Sequence, residues 1–287
     1  DQPIMIKEWL EQYQPKNRIE AESALREIMQ DVALAGLNRS GFFEKAAFYG
    51  GTALRIFHGL DRYSEDLDFS LLAINPSFSL EPYFEGMLQE FEAVGMKISV
   101  QEKIKTKATN IDSAFLKTET IWKELVLEKM IPQLGLDLSP RIKIKIEVDT
   151  NPPLGFETEE KLLLRPYSFY VKCFTLPHLF AGKMHALLFR QWKQRVKGRD
   201  WYDLEWYIKK GVPLNLSHFA LRANDSGDWG NPSITEKEIK ELLISKINTV
   251  SFEAIKEDII RFIPDDTGLK IWGPDYFKEL VKKLKLI

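Results

Sequence analysis

Two neighbouring stretches of the chain decide the fold: Ala46-Ala47-Phe48-Tyr49-Gly50-Gly51-Thr52 and Arg62-Tyr63-Ser64-Glu65-Asp66-Leu67-Asp68-Phe69. The first predicts a short buried strand over 46–49, which runs through a glycine pair into a helix over 52–58. The second predicts a strand over 67–72, because apolar and polar side chains alternate there. The two stretches together therefore predict a strand–turn–helix–turn–strand frame, and the residues within it are more informative than either motif alone.

The acidic and glycine residues of this frame suit phosphate chemistry. Asp66 and Asp68 are two residues apart on a strand, so both carboxylates point to one face and can hold the same divalent cations. Nucleotidyl transfer uses such cations to neutralise a triphosphate. Gly50 and Gly51 offer backbone N–H groups at a helix start, and Thr52 adds a hydroxyl. The alternatives are ordinary, since most Asp-x-Asp pairs lie in surface turns and a glycine pair usually only makes a turn.

The clearest strand of the chain covers 141–149, where four apolar side chains alternate with charged ones. Glu147 and Asp149 lie on its polar face, so either could supply a third carboxylate, as a metal ligand or as a base for the incoming hydroxyl. Taken by itself, this face is better explained as the soluble side of an open sheet. The sequence does not decide between the two acids.

A basic stretch lies in the second half of the chain. Lys183 and Arg190 are seven residues apart on a helix predicted over 177–194, and residues 183–199 contain six Lys or Arg and no acid. This density favours phosphate binding or contact with RNA, although a solvated helix face is the usual meaning of such a run. We expect Lys183 and Arg190 to cross a gap between domains to the nucleotide phosphates, with Asp200 holding one of them in place.

Five stretches, in this order, resemble the signature of the AbiEii toxin family of DNA polymerase β-like nucleotidyltransferases: 48–55, 62–69, 143–147, 183–190 and 197–204. The resemblance implies an α+β fold, with a nucleotidyltransferase-like mixed β-sheet core and flanking helices, followed by a mostly helical C-terminal domain. Together with the strand pattern, it implies a core domain over 1–158. A helical domain over 159–287 would then complete the active-site cleft.

The resemblance also implies roles for particular residues. The catalytic residues would be Asp66, Asp68, Glu147, Lys183 and Asp200. The nucleotide would contact Gly50, Gly51, Thr52, Arg62, Ser64, Lys183 and Arg190. The metal ligands would come from Asp66, Asp68, Glu147 and Asp149. From the residues alone, Asp200 and Asp203 could instead complement the start of a helix.

Members of this family are typically toxins of two-gene toxin–antitoxin or abortive phage-infection systems, and some relatives add nucleotides to the 3′ end of tRNA. The resemblance therefore implies an enzyme that uses Mg²⁺ or Mn²⁺ to transfer an NMP from an NTP to an acceptor. The first expectation is the 3′ end of tRNA, with an antitoxin from a neighbouring gene as a partner. Two alternatives stay open: a small-molecule or protein hydroxyl as the acceptor, and a nucleotide-binding protein that has lost turnover.

The composition is that of a folded protein without a membrane span. Of the 287 residues, 44% are apolar and 29% are charged, which suits a packed core and excludes the disordered and coiled-coil classes. No stretch approaches the ~18 apolar residues of a membrane helix, so we expect no membrane partner. The single cysteine, Cys173, favours a cytoplasmic location. Because the net charge is −2, any contact with RNA must come from a local basic patch.

Overall fold

The computed structural model describes residues 2–101, 120–129, 142–190 and 196–287. Side chains are described in the same ranges, except at 2–4, 101 and 120–129. Three secondary-structure predictions from the sequence lie wholly or partly outside these residues. They are a strand over 114–117, the first residue of the strand predicted over 141–149 and the end of the helix predicted over 177–194.

A mixed β-sheet runs through the described part of the chain. Its strands are β1 (Ala46–Tyr49), β2 (Leu67–Leu71), β3 (Lys97–Gln101), β4 (Thr120–Lys129), β5 (Lys143–Asp149), β6 (Thr158–Leu163) and β7 (Phe169–Phe174). Their order in the sheet is β3-β4-β5-β2-β1-β7-β6. Strand β2 is antiparallel to β1 and parallel to β5, and β1 is parallel to β7. Strand β4 is antiparallel to both β3 and β5.

Helices precede, interrupt and follow the strands. Those before β7 are α1 (Gln2–Gln12), α2 (Arg18–Arg39), α3 (Gly51–His58) and α4 (Glu81–Ala93). Those after β7 are α5 (Leu176–Phe189), α6 (Gly198–Lys209), α7 (Leu216–Asp225), α8 (Glu236–Thr249), α9 (Phe252–Ile259) and α10 (Pro274–Lys282). Short 3₁₀ helices lie at Phe42–Glu44, Ile260–Phe262 and Thr267–Ile271.

The middle of the sheet is buried by aromatic packing. Phe48 of β1 and Phe69 of β2 are fully buried, and their rings lie 5.2 Å apart. The Phe42 ring meets the Phe69 ring edge-on, with 4.9 Å between the ring centres. Aromatic pairs of this geometry stabilise a core beyond their apolar area. These contacts hold β1 and β2 side by side, and the polar residues at the ends of the two strands are positioned with them.

Helices α2 and α4 approach each other closely at Gly36. A Cβ atom added to Gly36 would lie 2.5 Å from the Cα atom of Met87, so any larger side chain would push the helices apart. In the sequence, Gly36 and Gly41 predict the end of this helix. The prediction for Gly36 is wrong, because α2 continues to Arg39 and the glycine serves helix packing instead.

The α+β class predicted from the sequence is confirmed, with a mixed sheet and flanking helices. The predicted strands over 46–49, 67–72 and 141–149 correspond to β1, β2 and β5. A linker predicted to reach residue 160 is wrong, because β6 begins at Thr158. Strand β6 lies at the edge of the sheet with exposed Glu159 and Glu160, so its composition resembles that of a loop.

The chain divides into two compact units that interleave along the sequence. The first comprises Asp1–Ala53, Ser64–Pro152 and Glu160–Cys173, and the second comprises Leu54–Tyr63, Pro153–Glu159 and Phe174–Ile287. These units differ from the predicted boundary after residue 158 in three segments. Residues 160–173 join the first unit, where Cys173 of β7 pairs with Phe48 of β1. Residues 54–63 and 153–158 join the second. The boundary at 158 stays a prediction about domains.

No helix among the described residues is both long enough and apolar enough to cross a membrane.

Candidate active site

Three carboxylates of the first unit lie where β2 begins, and we call Asp66, Asp68 and Glu147 the carboxylate edge. Asp66 immediately precedes β2 and Asp68 lies within it, so their side chains share one face of the sheet. In the parallel pairing of β2 with β5, Asp68 lies directly beside Glu147. Neighbouring strands are about 4.8 Å apart, which brings the two carboxylates within reach of one cation. All three residues are partly exposed.

Asp149, the other candidate for the third acid, lies one pleat further along β5. Its neighbour on β2 is Ser70, which is fully buried. Oδ1 of Asp149 accepts a hydrogen bond from the backbone N–H of Asn151 at 3.1 Å, which caps the turn after the strand. The strand register therefore favours Glu147 over Asp149 as the neighbour of Asp68.

A lysine lies among these acids. The ammonium of Lys145 forms an ion pair with the carboxylate of Glu147, two residues along the same face of β5. Burial lowers the pKa of Lys145, but the hydrogen bond and charge of Glu147, together with the charges of Asp66 and Asp68, raise it above its ordinary value. Lys145 is thus held in its charged form by all three acids of the carboxylate edge.

The donor atoms of the carboxylate edge suit Mg²⁺ or Mn²⁺, since both ions prefer hard oxygen ligands. Register puts Asp68 and Glu147 side by side, and their partial exposure leaves room for a hydrated ion to approach. Among the side chains that the structure describes, no three His, Cys, Asp or Glu residues form a preassembled metal site. The residues present fit a divalent cation in chemistry and in register, while the Lys145 ammonium engages Glu147.

A left-handed turn at Gly50 joins β1 to α3. Gly50 has φ +86°, a conformation that L side chains rarely adopt, and a Cβ atom there would lie 2.8 Å from Oδ2 of Asp68. Only glycine therefore lets the backbone pass this close to the Asp68 carboxylate. Gly51 is the first residue of α3, and Tyr49, just before the turn, pairs with Asp68. The free N–H groups of a helix start, which attract phosphate, thus lie beside the carboxylate edge.

The segment that carries Asp66 is held by buried side chains. The Thr52 hydroxyl hydrogen-bonds to the Ser64 hydroxyl at 2.7 Å and to the carbonyl oxygen of Asp66. Nε2 of Gln30, a fully buried residue of α2, donates to the carbonyl oxygen of Ser64 at 2.9 Å. The Thr52 and Ser64 side chains, expected to contact the nucleotide, therefore help to position Asp66. Any contact of these two residues with nucleotide stays a prediction.

The second unit contains a group of four paired charges, which we call the buried ion cluster: Arg62, Lys183, Asp200 and Asp203. The Arg62 guanidinium donates from Nε and Nη2 to the two carboxylate oxygens of Asp203, each at 2.6 Å. Nζ of Lys183 lies 2.8 Å from Oδ1 of Asp200 and 3.0 Å from Oδ2 of Asp203. The Asp203 side chain is 0% exposed. Two cations and two anions thus neutralise each other, with Arg62 and Asp203 almost completely excluded from water.

This pairing governs the protonation of the cluster and revises one prediction. Burial raises the pKa of Asp203, but Arg62 and Lys183 outweigh it and lower the pKa below its ordinary value. The predicted contact between Lys183 and Asp200 is present. Arg62, expected at the nucleotide, is instead buried against Asp203, which lies three residues after Asp200 on the same face of α6.

The basic residues after α5 differ from their predicted arrangement. Helix α5 ends at Phe189, and the exposed Arg190 has an extended backbone (φ −69°, ψ 119°). Lys183 and Arg190 therefore do not lie on one continuous helix, as the spacing predicted. Lys197, just before α6, is surrounded by positive charge. Burial first, then Arg199, and then Arg190 and Lys183 lower its pKa to about 8, against the opposing effect of Asp200.

Three residues of these groups were not singled out by the sequence: Gln30, Lys145 and Lys197. Gln30 had a weak signal, since a glutamine between apolar residues of a buried helix stripe needs a polar partner. Lys145 had none, because alternating Lys and Glu on a strand look like an ordinary soluble face. Asp203 was noted for the i,i+3 spacing that it shares with Asp200, but only as a possible complement to the helix start, whereas the structure pairs it with Arg62 and Lys183.

A family model described as nucleotidyl transferase AbiEii toxin, type IV toxin–antitoxin system, matches residues 32–283. Among solved structures, the chain is similar to MenT4, a nucleotidyltransferase toxin from Mycobacterium tuberculosis, with 18% identity and a TM-score of 0.49 over 96% of this chain and 87% of that one. It is also similar to JHP933 from Helicobacter pylori, with 15% identity and a TM-score of 0.45 over 91% and 94% of the two chains. No curated protein matches the chain. The family match includes the carboxylate edge and the buried ion cluster, and it confirms the resemblance seen in the sequence: the chain belongs to the AbiEii family of nucleotidyltransferase toxins.

Proposed function

We propose that this protein transfers an NMP from an NTP to the 3′ end of a tRNA, with Mg²⁺ or Mn²⁺, in the cytoplasm. The observation that supports this most strongly is the strand register, which sets Asp68 beside Glu147 on one side and beside Tyr49, just before the glycine turn, on the other. Carboxylates and a phosphate-binding helix start are thereby adjacent. Nucleotidyl transfer is a reaction that needs both.

In the proposed reaction, an acceptor hydroxyl oxygen forms a bond to the α-phosphorus while the bond from that phosphorus to the pyrophosphate breaks. Asp66, Asp68 and Glu147 would hold the divalent ions, which when bound offset the negative charge of the triphosphate. The N–H groups at the start of α3 would bind phosphate oxygens. The Glu147 carboxylate would take the proton of the attacking hydroxyl.

Basic residues would balance the remaining charge of the triphosphate, which carries about four negative charges. Lys183 is the first candidate, because Asp200 and Asp203 hold its ammonium in one position. Lys197 and Arg190 are the next candidates. Burial and the charges of Arg199, Arg190 and Lys183 lower the pKa of Lys197. The positive potential of this group of side chains would attract an anion. The same stretch supports contact with an RNA backbone.

The biological setting follows from the family. The family description names a toxin of a toxin–antitoxin system, which supports a toxin whose activity is countered by an antitoxin from a neighbouring gene. A tRNA whose 3′ end carries an extra nucleotide can no longer be aminoacylated, so the reaction would stop translation. A small molecule or a protein hydroxyl is the alternative acceptor.

The proposal is tested by incubating the purified full chain with each labelled NTP, Mg²⁺ and total RNA, followed by a gel. We expect label in the tRNA band with one or a few NTPs, and none in EDTA. Asp66→Ala and Asp68→Ala should abolish labelling, whereas Glu160→Gln, an exposed acid of β6, should leave it unchanged. Near-normal labelling by either aspartate variant would refute the metal-dependent mechanism. Label found only in protein or in small molecules would refute tRNA as the acceptor and support the alternative acceptor.

A second measurement separates two roles for Lys183. If Lys183 contacts the triphosphate, Lys183→Ala lowers turnover with every acceptor, including a short oligonucleotide. If it contacts the RNA backbone, the variant raises KM for full-length tRNA in a salt-dependent way and leaves short acceptors almost unaffected. Circular dichroism must show that the variant is folded, because Lys183 also belongs to the buried ion cluster.

A further inference from the structure

The Lys145 ammonium occupies the region where the carboxylate edge would receive a cation. It forms an ion pair with Oε1 of Glu147, and the two residues share one face of β5. The register sets Leu67 beside Ile146 and Asp68 beside Glu147. Continuing this register by one residue brings Asp66 beside Lys145. The Lys145 ammonium therefore lies within reach of three carboxylates. The charges of Asp66 and Asp68 act on this ammonium in addition to that of Glu147.

An ordinary surface ion pair does not account for this arrangement. The Lys145 and Glu147 side chains are 40% and 31% exposed, and an isolated pair at such a site contributes little to stability. Here the ammonium serves three acids at once. Carboxylates on adjacent strands, about 5 Å apart, repel one another unless a cation lies among them. Lys143, two residues earlier on the same face, is exposed and offers a matched comparison.

We propose that Lys145 is a built-in counter-cation of the carboxylate edge. Its ammonium neutralises Asp66, Asp68 and Glu147 while no divalent ion is bound, and it leaves Glu147 when an ion binds. The inference rests on the proposed function, because it requires these carboxylates to receive the divalent cation. A lysine suits the role, since its flexible four-carbon stem moves the charge by several ångströms without any change in the backbone.

The consequence is a penalty on metal binding in the absence of nucleotide. A divalent ion that approaches Glu147 must displace the ammonium and then remain near it, and both effects oppose binding. An incoming triphosphate changes this, because its phosphate oxygens offer the displaced ammonium a new anionic partner. Lys145 would thus favour entry of the metal together with the NTP over entry of the metal alone.

The test is a titration of the nucleotide-free full chain with Mn²⁺, followed by calorimetry and by the electron paramagnetic resonance of free Mn²⁺. Lys145→Met keeps the side-chain length and removes the charge, so we expect its Kd for Mn²⁺ to fall roughly tenfold, the size of a Coulomb repulsion at this separation in a half-exposed site. Lys145→Arg keeps the charge and should stay near wild type. Lys143→Met, the matched control, should also stay near wild type.

Thermal unfolding gives an independent readout of the same idea. In EDTA, Lys145→Met should melt below wild type because the charge of Lys145 no longer offsets the repulsion among the three carboxylates. Added Mn²⁺ should raise the melting temperature of the variant more than that of wild type. If Lys145→Met does not fold, Lys145→Gln, which retains a polar side chain, should show the same shift in Mn²⁺ affinity.

The outcomes separate the inference from the function on which it rests. Tighter Mn²⁺ binding by Lys145→Met, with Lys145→Arg and Lys143→Met unchanged, supports the counter-cation role. Equal or weaker binding by Lys145→Met, with wild type still binding Mn²⁺, overturns that role and leaves the metal site standing. Failure of both wild type and Lys145→Met to bind Mn²⁺ overturns the proposed metal site itself, and the counter-cation role with it.

Discussion

The carboxylate edge and the buried ion cluster use charge in opposite ways. In the buried ion cluster, two acids and two bases pair at 2.6–3.0 Å, and the Asp203 side chain is completely excluded from solvent. In the carboxylate edge, Lys145 pairs with Glu147, and these two side chains are 40% and 31% exposed. The first region consists of tightly packed ion pairs, whereas the second groups three partly exposed acids on adjacent strands.

The difference separates charges that hold the fold from charges that await a ligand. Complete pairing is required inside a protein, because an unpaired buried charge costs several kcal/mol. An excess of like charge is tolerated only where water or a ligand can offset it. The free energy of unfolding should therefore respond strongly to changes in the buried ion cluster and weakly to changes in the carboxylate edge.

The largest expected effect is that of Asp203→Ala. The change leaves Arg62 buried without its bidentate partner and removes one of the two acids that hold Lys183. Breaking a buried ion pair in this way should lower the free energy of unfolding by about 3–5 kcal/mol, measured by urea denaturation. The double variant Arg62→Met/Asp203→Leu should lose less than Asp203→Ala alone. A loss below about 1 kcal/mol for Asp203→Ala would show that the cluster does not hold the fold.

Gly50→Ala should have the next largest effect. An alanine at φ +86° is strained, and its Cβ would lie 2.8 Å from Oδ2 of Asp68. We expect a loss of about 2 kcal/mol in the free energy of unfolding and a strong loss of transfer activity, because the Asp68 carboxylate must move. Gly59→Ala is the matched control, since it shares a positive φ but has no atom within 4 Å of the added Cβ. Equal losses of activity in both variants would argue against a special role for the Gly50 turn.

Lys197→Met should change stability in the opposite direction, and only over part of the pH range. Below its folded-state pKa of about 8, Lys197 is charged in surroundings that disfavour the charge, so the variant should be more stable than wild type at pH 7, by about 1 kcal/mol. Between pH 8 and the ordinary value of 10.5, the folded protein loses this proton before the unfolded chain does. Between these pH values, the free energy of unfolding of wild type therefore rises relative to that of the variant.

Melting temperatures of wild type and Lys197→Met at pH 7, 9 and 10 measure this difference. A difference in melting temperature between wild type and Lys197→Met that is the same at all three pH values would contradict the lowered pKa of Lys197. Pyrophosphate provides a further check, because an anion bound near Lys197 should stabilise wild type more than the variant.

The smallest effect on stability is expected for Asp68→Asn. The change removes one charge from a group of like charges and keeps the shape of the side chain, so the free energy of unfolding should shift by less than about 0.5 kcal/mol. Transfer activity should nevertheless be lost. Loss of activity without loss of stability is the signature of a residue that serves the ligand, and a destabilisation above about 2 kcal/mol would remove the contrast between the two regions.

Local patterns predicted the elements that frame the site. Strands β2 and β5 followed from alternation, β1 from a short apolar run before the glycine pair, and α3 from the stretch between that pair and Gly59. The adjacency of Asp68 and Glu147 required the resemblance, because nothing in the residues sets β5 next to β2. The strand β6 was missed, since an exposed edge strand has the acidic composition of a loop.

Pairings between distant residues were beyond the sequence. Arg62 and Asp203 are 141 positions apart, and neither residue shows by its own neighbours that it will be buried. The role of Arg62 at the nucleotide was implied by the family resemblance alone, which does not reveal this buried pairing. Lys145 was hidden for another reason: a lysine on a polar strand face has the same pattern whether it meets solvent or a nearby acid, as it does in its ion pair with Glu147.

The position of β1 in the sheet has a consequence for how the protein is made. Phe48 of β1 pairs with Phe69 of β2 on one side and with Cys173 of β7 on the other. During translation, β1 and β2 leave the ribosome early, and the second edge of β1 stays open until β7 has emerged. An open strand edge is a template for pairing with other chains, so chaperone capture or aggregation of the nascent protein should concentrate in that interval. A premature stop codon before β7 would therefore yield an insoluble fragment and not a shorter toxin.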